Sequence, residues 1–266
     1  MQLGGGCGSG TLFTAGSGNI KMVITLIFFI IGSLIGSYHF EFWANLPSFK
    51  PVSLLNIFSK INTVLIQLSV LGLIYYLISK MEFNRNNKIN HNDIISNPSH
   101  SLIRGPWPLL WGSISLVFFS FLMLQVAGHP WSVTFAFGLW GAKIASFLGV
   151  EVSSWTYWQL EYPSTALENS VLADPTTVSN IGIILGALIG SALSGKITKF
   201  TSVNKKLVLA AVIGGLFMGY GARLAFGCNI GALFGGIASG SLHGWVWFLF
   251  AFLGSIVGVR FRKYFY

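Results

Sequence analysis

Charge is what this 266-residue sequence has least of: Asp, Glu, Lys and Arg together make up 9% of it, against about 25% in an ordinary soluble domain. Seven acidic and sixteen basic residues cannot clothe the water-exposed surface of a 28.9 kDa body. That excludes a soluble enzyme of this size and, with 53% apolar residues, a disordered chain. Cysteine is nearly absent as well. Two residues, Cys7 and Cys228, are too few for a disulfide-dense secreted scaffold. Neither has a His or carboxylate at ligand spacing, so no metal and no other cofactor is expected. The net charge of +9 lies in short runs between apolar blocks, not in a soluble basic domain. This excludes nucleic acid as a partner and fits loops beside an anionic lipid leaflet.

What the sequence has in quantity is apolar runs of membrane-spanning length. Runs near 20 residues, enough to cross a bilayer, fall at Ile20–Ser37, Ile61–Ser79, Leu109–Ala127, Val178–Gly195, Leu207–Phe226 and His243–Val259. The expected fold is therefore an all-α polytopic membrane protein. Val133–Gly149 is shorter, contains Lys143 and follows the turn Gly128-His129-Pro130, so it is read as a re-entrant or broken helix. The polar stretch 80–104 and the lysine-rich stretch Lys196–Lys206 are basic, whereas Glu151, Glu161, Glu168 and Asp174 share a loop without Lys or Arg. By the positive-inside rule the basic loops and the C-terminus face the cytoplasm and the acidic loop faces outside. The span count agrees only if Val133–Gly149 does not cross fully. The first residues have neither a basic n-region nor an apolar h-region, so no cleavable signal peptide is expected.

The start of the chain repeats near its end. Gly6-Cys7-Gly8-Ser9-Gly10-Thr11-Leu12-Phe13 matches Gly227-Cys228-Asn229-Ile230-Gly231-Ala232-Leu233-Phe234, and after a one-residue slip Gly18, Gly32 and Gly36 match Gly240, Gly254 and Gly258. With the topology above, the spans after the two motifs run in opposite directions. The repeat is therefore read as inverted, an arrangement in which transporters place a site near the membrane midplane between broken helices. Short helices starting after each cysteine would aim unpaired N–H groups and a positive dipole end at one region, which favours an anion. A compact, polarizable thiol there suits an anion carrying a soft sulfur. A single Cys7–Cys228 bridge stays open as an alternative, although a symmetric pair beside flexible turns fits the flanks of a pathway better.

The candidate path residues are therefore Cys7, Cys228, Gly6, Gly227 and Asn229, joined by three more polar residues. Arg223 lies within a span and Lys143 within the re-entrant stretch, where a charge costs about 2.5–3.5 kcal/mol on insertion scales. Each is expected either to attract an anion or to hold the broken helices. Snorkelling to the interface is the alternative for Arg223. His129, beside Pro130 and Trp131, is placed at a vestibule or in an interfacial aromatic belt. Gly182, Gly186 and Gly190, with the pair Gly215 and Gly219, are expected to be helix-packing faces.

The stretches Met1–Asn19, Gly105–Gly112, Gly128–Ile144 and Gly221–Arg262 resemble the YeeE/YedE family of sulfur-transport membrane proteins. The resemblance implies uptake of thiosulfate or a related small sulfur-containing anion through an hourglass-shaped body with cysteines along the path. Of its cysteines, Cys7 and Cys228 carry over. Some members have a further cysteine between the repeats; this sequence has none, so no three-cysteine relay is expected. It divides into 1–79, the remainder of a first repeat; 80–104, a polar cytoplasmic loop; and 105–266, a second repeat. In the family the first motif follows several membrane segments, whereas here six residues precede it, so the chain is expected to be shortened at its start. The leading expectation is a permease, not an enzyme, with the lipid bilayer and a cytoplasmic TusA-like sulfur carrier as partners. The rivals are a membrane thiol relay, in which the cysteines form persulfides, and an inactive remnant.

Overall fold

The computed structural model describes residues 1–86, 107–195 and 204–265. Most of the polar loop 80–104, residues 196–203 of the lysine-rich loop and the first two residues of Gly105–Gly112 lie outside the described residues. The described chain folds into α1 (Gly8–Gly16), α2 (Ile20–Tyr38), α3 (Phe40–Ala44), α4 (Leu54–Ile57), α5 (Lys60–Asn86), α6 (Leu109–Ala127), α7 (Thr134–Phe147), α8 (Glu161–Glu168), α9 (Pro175–Leu193) and α10 (Lys205–Leu224). After a tight turn, a π-helical segment Asn229–Phe234 runs straight into α11 (Gly235–Ala238), and α12 (Leu242–Arg262) closes the order.

Among the described residues six helices are long and apolar enough to cross a membrane: α2, α5, α6, α9, α10 with its continuation to Ala238, and α12. All six expected spans are present, and the chain is an all-α polytopic membrane protein. Their starts follow from local chemistry. The Asn19 side chain caps α2, Asp174 with Pro175 behind it caps α9, Asn204 caps α10 and Ser241 caps α12, each filling an N–H that the first helical turn leaves without a partner. By contrast, α7 has 14 residues. At 1.5 Å per residue it reaches about 21 Å, short of the roughly 30 Å hydrocarbon core. Eight of its residues are buried, so it sits inside the protein, while α6 buries none and presents apolar side chains all round, as a lipid-facing span does.

The packing centre is the α2–α10 pair. Gly32 lies against the Leu216 carbonyl, Gly215 against the Thr25 carbonyl and Gly219 against the Phe29 carbonyl, so closely that a methyl group at any of the three would overlap backbone. Small residues that admit a neighbouring backbone are what membrane helices use where no hydrophobic effect drives them together. The register Thr25–Gly215, Gly32–Leu216, Gly36–Tyr220 climbs both helices in the same sense, so α2 and α10 run parallel. The first turns of α12 share a cavity with the C-terminal half of α10, while Gly258 near its other end meets Gln2. That gives α12 the opposite sense to α2, its repeat-matched partner. Gly215 and Gly219 thus pack as expected. Gly182, Gly186 and Gly190 do not: a Cβ at each would meet nothing within 4 Å.

The loop carrying the acidic residues is not a free surface loop. Trp158 is 1% exposed and Tyr157 4%, and Trp158 Nε1 donates to Ser37 Oγ of α2 at 3.1 Å. This loop and α7 share one apolar cluster, in which Tyr157 and Trp158 lie with Leu139, Ala142 and Val152. A second cluster of Leu12, Phe29, Val133, Phe137, Ala222 and Cys228 surrounds the point where the two cysteine motifs meet.

Candidate functional site

Three helix starts converge on one point. A methyl group at Gly8, the first residue of α1, would lie 3.2 Å from Thr134 Cγ2, at the start of α7, and 3.5 Å from Cys228 Sγ, which precedes the Asn229 helix. Both thiols are free. The N-terminal ends of helices carry partial positive charge and uncommitted N–H groups, so the three starts make this waist electropositive without a charged side chain. Asn180, fully buried, fixes the mouth of α7 by donating to the Val133 carbonyl at 2.9 Å.

The two motifs place their sulfurs differently. Cys7 is the N-cap of α1, and its Sγ accepts from the Gly10 N–H at 3.5 Å and meets Ser9 Oγ at 3.3 Å. Cys228 is 6% exposed. No cap hydrogen bond closes within its turn, and a methyl group at Gly8 of the other motif would lie 3.5 Å from its sulfur. The chain reaches Cys228 through Phe226 at φ 50° and Gly227 at φ 152°. A Cβ at Gly227 would press on the Ala232 nitrogen at 2.6 Å, so the turn that aims this thiol requires glycine both by conformation and by space.

Cavities flank the waist. One of about 410 Å³ is lined by Gly6, Cys7, Asn229, Ser255 and Arg262, and within it Asn229 Oδ1 is buried with no hydrogen-bond partner. A second of about 350 Å³ is lined by His129, Thr134, Tyr157, Tyr162, Thr176 and Arg223. Arg223 ends α10 and Arg262 ends α12, which run in opposite senses, so the two chambers lie toward opposite ends of this helix pair. A third space of about 490 Å³ lies between α10 and α12, beside Gly8, Gly227, Cys228, Met218, Trp247 and Phe250.

Arg223 is 4% exposed. Its Nε and Nη2 donate to Ser33 Oγ at 3.3 and 2.9 Å, Nη2 donates to the Thr134 carbonyl at 2.7 Å, and Nη1 donates to the Tyr157 hydroxyl. The guanidinium also stacks 4.8 Å from the Tyr157 ring centre. Four of its five N–H groups are thus used, every acceptor is neutral, and among the described residues no carboxylate pairs with it. This is a side chain locked into the protein, not one snorkelling to water. Lys143 is placed elsewhere: its ammonium donates to the Leu167 and Asn169 carbonyls, the latter at 2.8 Å, tying α7 to the negative end of α8. It lines none of the three cavities. His129 lines the Arg223 chamber and packs 5.9 Å from the Tyr162 ring.

Ser33, Thr134, Tyr157 and Tyr162 were not among the sequence candidates. Tyr157, and Tyr162 at the start of α8, sit in the segment that charge alone reads as an external loop; the aromatic run Trp155-Thr156-Tyr157-Trp158 was the signal that part of it is buried. Tyr162 donates to Asp174 Oδ1 at 2.9 Å, and Asp174 Oδ2 accepts from Thr176 Oγ1 and from the Thr177 N–H and hydroxyl. Burial, and after it the Asp174 carboxylate, raise the Tyr162 phenol above its ordinary range, so it stays protonated at every physiological pH. Among the described residues no three His, Cys, Asp or Glu side chains gather to hold a metal ion.

Compared with protein families, the chain matches the one described as Sulphur transport over residues 1–257. It is 32% identical over 136 residues to a protein of Escherichia coli K12 named "Probable transporter YedE", a stretch covering 51% of this chain and 33% of that protein. The protein of the same name from Salmonella typhimurium is 33% identical over 136 residues, again 33% of its length. The "Thiosulfate transporter TsuA" of Spirochaeta thermophila is 38% identical over 85 residues, 31% of this chain and 26% of that protein. The matched stretches thus span a third or less of these relatives' own length. No solved structure matches the chain.

Proposed function

The chain belongs to the sulphur transport family, and from that premise we propose that it is a permease for a small sulfur-containing anion, thiosulfate first among them, which it moves without altering chemically. The observation that carries this reading is the convergence of three helix starts at the Cys228 thiol, which lines the space of about 490 Å³ beside them, with two further chambers toward opposite ends of the α10–α12 pair. Backbone N–H groups around the waist supply positive potential at no cost in buried charge. The Cys228 S–H donates to the passing anion and its sulfur accepts contact from the soft terminal sulfur of thiosulfate. Cys7 and Asn229 line the chamber beyond. Gly6 and Gly227 keep the backbone beside each thiol free of side chains.

In this reading Arg223 with His129 receives the anion on the acidic-loop side, outside the cell. The Cys7 chamber, the basic loops and the C-terminus face the cytoplasm of a bacterial inner membrane, where a TusA-like carrier is the acceptor. The inverted repeat is part of the same proposal and rests on the opposite senses of α2 and α12. Lys143 serves as a structural tie in it. The test is growth of a sulfate-uptake-deficient bacterium on thiosulfate as sole sulfur source. Growth that depends on this chain, and stops with Cys228→Ala at unchanged membrane levels, supports the reading. Equal growth with the variant removes the thiol from the path.

A further inference from the structure

The Arg223 chamber holds a second kind of group. His129 Nδ1 lies 3.0 Å from the Pro130 carbonyl, which can only accept, so Nδ1 carries the ring hydrogen. Nε2 is then a bare lone pair, buried and without a partner, in a residue that lines the same cavity as Arg223. A nitrogen in this position can take up a proton and become a second donor beside the guanidinium. Resting on the permease reading, we propose that this chamber is a proton-linked anion site: an anion seated against Arg223 draws a proton from solvent onto His129 Nε2, and the two enter together.

The surrounding groups fix the sign. Facing His129 across the chamber are Tyr162 from α8, Tyr157 from the loop before it and Arg223 from α10, with Asp174 at the start of α9 behind Tyr162. Thr134 of α7 adds no titratable group. Tyr162 stays neutral. Asp174 spends its oxygens on Tyr162, Thr176 and Thr177. A dianion between Arg223 and His129 favours the imidazolium and gains an Nε2–H···O bond of the charge-assisted kind. Linkage makes the effect reciprocal: whatever factor the anion adds to proton affinity, the proton adds to anion affinity. Histidine is the side chain whose charge changes between pH 5 and 8, so affinity rises as pH falls through that window.

The test is calorimetric binding of thiosulfate to the purified chain at pH 6 and pH 8, in buffers of differing ionisation heat. Thiosulfate is a dianion throughout this range, so any slope belongs to the protein. The expected result is proton uptake on binding and affinity about fivefold or more higher at pH 6, the low end of ordinary site-to-site coupling. His129→Gln should abolish both the uptake and the slope. Affinity independent of pH with no proton uptake in the wild type overturns the proposal and leaves the permease reading standing, and so does a slope that survives His129→Gln. Absence of binding to thiosulfate and to sulfate at both pH values overturns both. The proton-uptake measurement needs no variant, so it stands even where His129→Gln perturbs folding.

Discussion

The two Gly-Cys motifs are nearly the same in sequence and differ in what their sulfurs do. At Cys7 the thiol closes its own helix cap, accepting from Gly10, and is half-buried in a polar chamber. At Cys228 the thiol is buried at the junction of both motifs, with no cap bond closed. The first motif is satisfied within itself, while the second leaves donors for something else. A repeat therefore fixes where two cysteines go; the turn before each one, taken through Gly5 at φ 92° in the first and through Phe226 at φ 50° and Gly227 at φ 152° in the second, decides which is left open to a ligand.

The largest effect expected from this asymmetry is at the second motif. Cys228→Ala should lower thiosulfate uptake about tenfold or more, the equivalent of 1.4 kcal/mol or greater in transition-state stabilisation. Cys7→Ala should cost only a few-fold in the same vesicle assay. Equal losses at both would break the comparison. Next is Gly8→Val, which carries the first motif's bulk into the second motif's space, against Thr134 and Cys228 Sγ. Uptake should fall severalfold with the melting temperature nearly unchanged. At Gly231, where a Cβ meets nothing nearer than 3.9 Å, alanine should be tolerated.

Arg223→Gln should then impair uptake more than Lys143→Gln, and Lys143→Gln more than Lys206→Gln. Arg223 is locked at a cavity wall, Lys143 ties carbonyls and Lys206 lies in the first turn of α10. Part of the Arg223 loss will be destabilisation, because the Ser33, Thr134 and Tyr157 acceptors lose their donor, and fluorescence-detected gel filtration measures that part. The smallest effect is expected for Cys7→Ser, since a serine oxygen caps α1 at least as well as sulfur; uptake near wild type checks it.

The six spans were legible because apolar length is set by the bilayer and needs no partner. The helix starts after Cys7 and Cys228 were legible too, because Gly-Cys followed by a short apolar run is a local signal. The neighbours of Arg223 were not. Ser33 lies 190 residues away and Tyr157 66 residues away, and no periodicity links a span to a residue in a buried loop. Lys143 was legible as a charge in an unusual place, but its carbonyl partners at Leu167 and Asn169 depend on where α8 ends. The stripe Gly182, Gly186, Gly190 shows the limit of spacing: small residues at helical intervals permit close packing, yet only a helix set against them makes it, as α2 does for Gly215 and Gly219.

The central claim is that the anion sits at Cys228 between converging helix starts, and ligand protection of single-cysteine variants tests it most directly. With Cys7→Ser leaving Cys228 alone, and Cys228→Ser leaving Cys7 alone, the rate of iodoacetamide alkylation is followed by mass spectrometry with and without saturating thiosulfate. The account predicts that thiosulfate slows alkylation of Cys228 strongly and of Cys7 weakly. Protection of Cys7 alone, or of neither thiol at concentrations that saturate binding, would contradict it.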